Sequence, residues 1–261
     1  MQSIDAGMAD GIAFDDTGPK PSPAIVLLHG LSWDRRIWDT LAPRLVPRFR
    51  CVRIDLPGHG ASADLPQTED YAFEAIAARL NGVLQGLDIK QPVMVGHSMG
   101  GVIASFYGAL YPVRGVVNLD QSFHMAPMVA GLTPWRPMIE GDGFALFWAE
   151  LMKTFALERL PGDLGTWARS LSRPRQDIVL RYWDSLLHLP VARMQAHLDT
   201  HLGAIAAPFV AFHGKLPEAG YDAWLKARVG HAQIVELGEP CHMPQLLAPD
   251  LLVKTVTQLA T

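Results

Sequence analysis

The sequence predicts an α/β fold, in which helices wind on both faces of a mostly parallel sheet and a helical cap is inserted late in the chain. Three observations lead there. Short apolar, β-favouring runs alternate with stretches of helical period. Polar residues close several of these runs, at His29, Asp55, Ser98 and Asp120, so they fall on one rim of the sheet. From about residue 122 to about residue 204 the strand rhythm disappears, and then it returns.

Taken in order, Ile12 to Phe14 suggests a short early strand before the turn-rich Gly18-Pro19-Lys20-Pro21-Ser22-Pro23. Ala24-Ile25-Val26-Leu27-Leu28 is a continuous run of the kind buried on both faces, and it stops at His29-Gly30. A helix is expected from Trp38 to Leu45. Arg50-Cys51-Val52-Arg53-Ile54 gives the next strand, ending in Asp55-Leu56-Pro57-Gly58-His59-Gly60. Phe73, Ile76, Ala77, Leu80, Val83, Leu84 and Leu87 share one helix face. The run Pro92-Val93-Met94-Val95 then leads into Gly96-His97-Ser98-Met99-Gly100, and Val102 to Leu110 reads as a helix. Gly115-Val116-Val117-Asn118-Leu119 is a further strand, closed by Asp120.

Residues 1–121 and 205–261 are expected to form the core, with 122–204 as the cap. Arg173-Pro174 and Leu189-Pro190 punctuate the cap's helices. It is rich in large apolar side chains, among them Met125, Phe147, Trp148, Phe155 and Trp183. Most of these serve packing. An insertion placed after the Asp120 strand has to lie over the rim, so some should line a cavity above Ser98. The sheet resumes at Pro208-Phe209-Val210-Ala211-Phe212, followed by a helix from Tyr221 to Arg228. A last strand spans Gln233 to Leu237, a loop carries Cys241-His242, and a closing helix starts at Pro244.

Composition narrows the function. The chain has 261 residues, 49% hydrophobic, which suits one large domain with a sizeable core. A net charge of -4 without a basic stripe argues against nucleic acid as a partner. The N-terminal Met1-Gln2-Ser3-Ile4-Asp5 carries no sign of a signal peptide, and no apolar stretch is long enough to span a bilayer. Two cysteines, Cys51 and Cys241, do not suggest a disulfide framework, so a cytoplasmic setting is expected.

The chemistry centres on Ser98. A Gly-x-Ser-x-Gly turn between a strand and a helix is a nucleophile elbow, which pushes the serine oxygen toward substrate. A neutral hydroxyl needs a neighbouring base, and His242, in the loop after the last strand, can return to the rim beside it. Asp120 is the expected carboxylate partner of that histidine because it ends a buried strand on the rim, with Glu218, in the loop His213-Gly214-Lys215-Leu216-Pro217-Glu218 after Phe212, as the alternative. The backbone amides of Leu31 and Met99 are the expected oxyanion hole. Trp33, His29, Phe123 and Trp148 are the expected substrate contacts, with Trp38 a further candidate wall and His29 also placed to shape the oxyanion loop. His59 and His213 are expected to pack near the rim.

His29-Gly30, Asp55-Leu56-Pro57-Gly58-His59-Gly60, Gly96-His97-Ser98-Met99-Gly100-Gly101 and the late His242 together resemble the α/β-hydrolase superfamily. The resemblance implies the α/β-hydrolase fold with a variable cap. Asn118-Leu119-Asp120-Gln121 is similar to members whose acid follows the sixth strand. A serine at the elbow speaks against the aspartate-dependent dehalogenases and epoxide hydrolases of the fold. It fits hydrolysis of a small or medium apolar carboxylic ester, lactone or thioester through an acyl-enzyme, without a cofactor. C–C bond hydrolases, perhydrolases and cofactor-free oxygenases of the same fold remain alternatives, as does a non-catalytic receptor for a small ligand. His197 and His201 have the i, i+4 spacing that can hold zinc, but no glutamate directly follows the first histidine and no third ligand is evident, so a solvated helix face and no metal are expected.

Overall fold

The computed structural model describes residues 5–261. The stretch read above for a leader falls on residues 1–4 and so lies outside the described residues, apart from Asp5. Eight strands form one sheet: β1 (Asp5–Ala9), β2 (Ile12–Thr17), β3 (Ala24–Leu28), β4 (Arg50–Ile54), β5 (Val93–His97), β6 (Gly115–Leu119), β7 (Phe209–His213) and β8 (Gln233–Glu236). Their spatial order is β1-β2-β4-β3-β5-β6-β7-β8, with β1–β2 and β2–β4 antiparallel and every later pairing parallel.

β3, β5, β6 and β7 are buried along their whole length, as expected of apolar runs covered on both faces. β1 is an addition to the sequence reading. It is half exposed and pairs with β2 through Asp10-Gly11, both at positive φ (50° and 74°), as a two-residue hairpin turn requires.

The helices in chain order are α1 (Ala42–Leu45), α2 (Phe73–Gly86), α3 (Met99–Leu110), α4 (Met125–Leu132), α5 (Arg136–Glu140), α6 (Phe144–Thr154), α7 (Leu164–Leu171), α8 (Gln176–Tyr182), α9 (Asp184–His188), α10 (Val191–Ala204), α11 (Tyr221–Lys226), α12 (Pro244–Leu247) and α13 (Pro249–Ala260). The expected helix from Trp38 to Leu45 is instead a 3-10 turn over Arg35–Trp38 followed by α1, with Pro43 in the first turn of α1. The closing helix likewise splits at Ala248, ahead of Pro249.

The parallel part of the sheet positions the site. β3, β5, β6 and β7 point their carboxyl ends the same way, so the loops after Leu28, His97, Leu119 and His213 gather on one rim. The run from α4 to α10 contains helices and no strand, and it lies between β6 and β7 in the chain.

Candidate active site

Ser98 sits between β5 and α3 at φ 52°, ψ -123°, a backbone state that costs a non-glycine residue about 1–3 kcal/mol. Tight packing holds it there. A Cβ on Gly100 would come within 2.5 Å of the Leu28 carbonyl oxygen and 2.6 Å of that of His29, so only glycine lets α3 start so close to β3. The loop after β3 presses equally close, since a Cβ on Gly30 would meet His97 Nδ1 at 2.8 Å and the Ser98 Cβ at 3.1 Å.

Asp120 follows β6, also at positive φ (57°). Its Oδ2 lies 2.7 Å from His242 Nδ1, and its Oδ1 accepts the Gly214 N–H at 3.0 Å. His213, buried beneath, places Nδ1 3.6 Å from the same carboxylate. Burial alone would raise the Asp120 pKa, but the close approach of His213 and the hydrogen bond from His242 outweigh it and hold the carboxyl well below its usual range. A carboxylate only accepts, so His242 Nδ1 carries the proton and Nε2 keeps a free lone pair. Among the described residues, neither His242 Nε2 nor Ser98 Oγ has a protein hydrogen-bond partner.

Three contacts fix the His242 loop, none of them signalled by a local pattern of residues. His97 Nε2–H donates to the His242 carbonyl oxygen at 2.6 Å. The His242 N–H donates to the Phe155 carbonyl oxygen at 3.0 Å. The Phe155 ring stacks on the imidazole with centroids 4.4 Å apart. His97 is fully buried, and its pKa is lowered to about 3, chiefly by desolvation, so it stays neutral.

Ser98, Asp120 and His242 all line one cavity of about 1550 Å³. Leu31 and Met99 line it too, and their backbone N–H groups find no acceptor among the described residues. Of the expected substrate contacts, Trp33, Phe123 and Trp148 are on its wall. Trp33 is pinned by its indole N–H to the Ala168 carbonyl oxygen at 2.9 Å, and the Phe123 N–H donates to the Tyr221 hydroxyl at 3.0 Å.

His29 is a correction: it does not reach the cavity. It is fully buried, donating from Nδ1 to the Gly30 carbonyl oxygen at 2.8 Å and accepting the Leu56 N–H on Nε2 at 2.9 Å. Both nitrogens are thus engaged by backbone, and desolvation lowers its pKa to about 4. Trp38 is likewise fully buried away from the cavity. His59 accepts the Ser32 N–H at 3.1 Å and donates to the Pro57 carbonyl oxygen at 3.0 Å, with a pKa lowered to about 3 by burial. Together His29 and His59 lace residues 30–32 to residues 56–57, which sets the position of the Leu31 amide. Glu218, the alternative acid, pairs with His124 and not with His242. Cys51 and Cys241 are both free and buried. No described helix is long and apolar enough to cross a membrane.

Known proteins agree with this architecture. The sequence profile of the alpha/beta hydrolase fold family matches residues 23–187. A 2-heptyl-3-hydroxy-4(1H)-quinolone dioxygenase from Mycobacteroides abscessus is 32% identical over 257 residues, covering 91% of this chain and 90% of that protein. A pimeloyl-[acyl-carrier protein] methyl ester esterase from Yersinia pseudotuberculosis is 28% identical over 250 residues, covering 90% and 92%. The chain spans only 32% and 50% of the length of two other curated relatives. Among solved structures, AqdC, which recognises and cleaves the ring of the Pseudomonas quinolone signal, superposes with a TM-score of 0.81 over 98% of this chain and 99% of its own, at 22% identity. The chain belongs to the alpha/beta hydrolase fold family.

Proposed function

We propose that the protein is a serine hydrolase that cleaves a small or medium apolar carboxylic ester through an acyl-enzyme, with Ser98 as nucleophile, His242 as base and Asp120 as acid. One observation carries this reading. Ser98 on its strained turn, the unengaged Nε2 of an Asp120-oriented His242, and two amides without acceptors all face the same cavity.

In this mechanism the ester carbonyl carbon meets Ser98 Oγ while His242 Nε2 takes the hydroxyl proton. The Leu31 and Met99 amides receive the negative charge that develops on the carbonyl oxygen, each contributing on the order of a few kcal/mol. The Asp120 carboxylate stabilises the imidazolium. The proton then passes to the leaving alcohol, and water repeats the sequence to release the acid. The segment from α4 to α10 serves as the cap, and the largely apolar wall favours an apolar acyl or alkyl group. Two reduced cysteines fit the cytoplasm as the place of work.

A second reading rests on a specific finding, the 32% identity to a quinolone dioxygenase over nine-tenths of both chains. The His242–Asp120 pair would then take a proton from a ring hydroxyl, and dioxygen would react with the resulting anion without a cofactor. Ser98→Ala separates the two. Under the hydrolase reading, wild type turns over p-nitrophenyl esters and is labelled by a fluorophosphonate, and the variant does neither. If wild type is unlabelled but consumes oxygen with a 3-hydroxy-4-quinolone, and Ser98→Ala retains that activity, the hydrolase reading is wrong. Tight binding of a small apolar ligand with no turnover of either kind would leave a receptor.

A further inference from the structure

The i, i+4 pair His197 and His201 lies on α10, and the fold brings a third donor to it from far away in sequence. Glu74, in the first turn of α2, places its Oε1 in contact with His197 Nε2 and 3.6 Å from His201 Nε2. The three donor atoms all lie within 4.8 Å of one another. Around a tetrahedral zinc with bonds of about 2.0–2.1 Å, such atoms would sit roughly 3.3 Å apart, a closure that small side-chain rotations supply.

Two features prepare the donors. His201 Nδ1 lies 3.0 Å from the His197 carbonyl oxygen, so that nitrogen carries the proton and Nε2 presents its lone pair toward Glu74. The Phe106 ring stacks on His201 at 4.2 Å and 22°, and it also lies beside His197 at 5.9 Å, which limits how both imidazoles can turn.

We propose that Glu74, His197 and His201 form a binding site for a borderline divalent cation, zinc above all, that ties α2 of the sheet's helical layer to α10. Two imidazoles and one carboxylate match zinc and leave a fourth position open. Glu74 and His197 also line the large cavity, so the ion sits at its wall, and the proposal does not depend on which reaction occurs at Ser98. It acts as a bolt between residues far apart in the chain's order, Glu74 on one side and His197 and His201 on the other, not as a reactant.

The test uses tag-free, EDTA-treated protein titrated with Co2+ and then Zn2+. Wild type gives the visible absorption of four-coordinate cobalt at one ion per chain, zinc displaces it, and excess zinc raises the melting temperature by several degrees. Glu74→Gln and His201→Gln each weaken cobalt binding at least tenfold and lose the zinc-dependent rise, while their melting temperatures without metal stay near that of wild type. Absence of the cobalt spectrum in wild type overturns the proposal. So does an equal spectrum, or an equal thermal shift, in the double variant His197→Gln/His201→Gln.

Discussion

Acidification from pH 7 to pH 5 should cost this protein much of its folding free energy, because three histidines are buried in neutral form. In the unfolded chain each imidazole takes up a proton near 6.5, whereas the folded chain resists protonation of His29 down to about 4 and of His59 and His97 down to about 3. Between those limits the unfolded state binds more protons, so stability is full above 6.5 and drains away as the pH falls. At pH 5 each ring contributes a loss of about 2 kcal/mol, roughly 6 kcal/mol for the three, against a total of about 5–15 kcal/mol for a typical domain. Urea unfolding followed by circular dichroism at pH 7, 6 and 5 measures this directly. The midpoint should fall steeply with pH, and His59→Gln should flatten the dependence by about a third, since glutamine can still accept the Ser32 N–H without titrating. A stability that is level from pH 7 to 5, or an unchanged slope in His59→Gln, would refute the reasoning. The same effect would make an acid limb in any activity profile report unfolding as well as catalysis, so activity and structure have to be followed in the same samples.

Other outcomes follow from named contacts. Asp120→Asn should lower kcat for ester cleavage by about 10³–10⁴-fold, while Glu218→Gln, whose carboxylate faces His124, should change it less than threefold; the reverse pattern in steady-state kinetics would reassign the acid. Gly100→Ala should destabilise the fold by about 1–3 kcal/mol and lower the melting temperature, because the new methyl meets the Leu28 and His29 carbonyl oxygens, which are backbone and cannot swing aside. His97→Phe removes the donor to the His242 carbonyl oxygen while keeping a ring, and should reduce kcat about tenfold with KM nearly unchanged.

Much of the fold and site was readable because it is local. A strand, a serine between glycines and a helix occupy adjacent residues, and a polar residue closing an apolar run has to appear on the rim. That reasoning led to Ser98, Asp120 and His242, which the structure gathers on one cavity. His29 also closes a strand, yet its side chain turns inward to the backbone at Leu56, an outcome set by a loop about 27 residues away. Direction, unlike position, is not written in the run itself. The partnership of Glu74 with His197 was invisible for the same reason, being made only when α10 and α2 both pack on α3. Asp10-Gly11, Pro43 and Pro249 are local signals too: the first marks the β1–β2 turn, and the prolines mark where the expected helices divide.

The seat of His242 has a mechanical consequence. Its main-chain amide hangs from the Phe155 carbonyl oxygen and its ring leans on the Phe155 ring, and Phe155 directly follows α6. Were α6 to lift and let a bulky guest enter or leave, the imidazole would lose a hanger and a backrest in one stroke. Entry and reactivity would then alternate, and the histidine would be aligned only while the gate is shut.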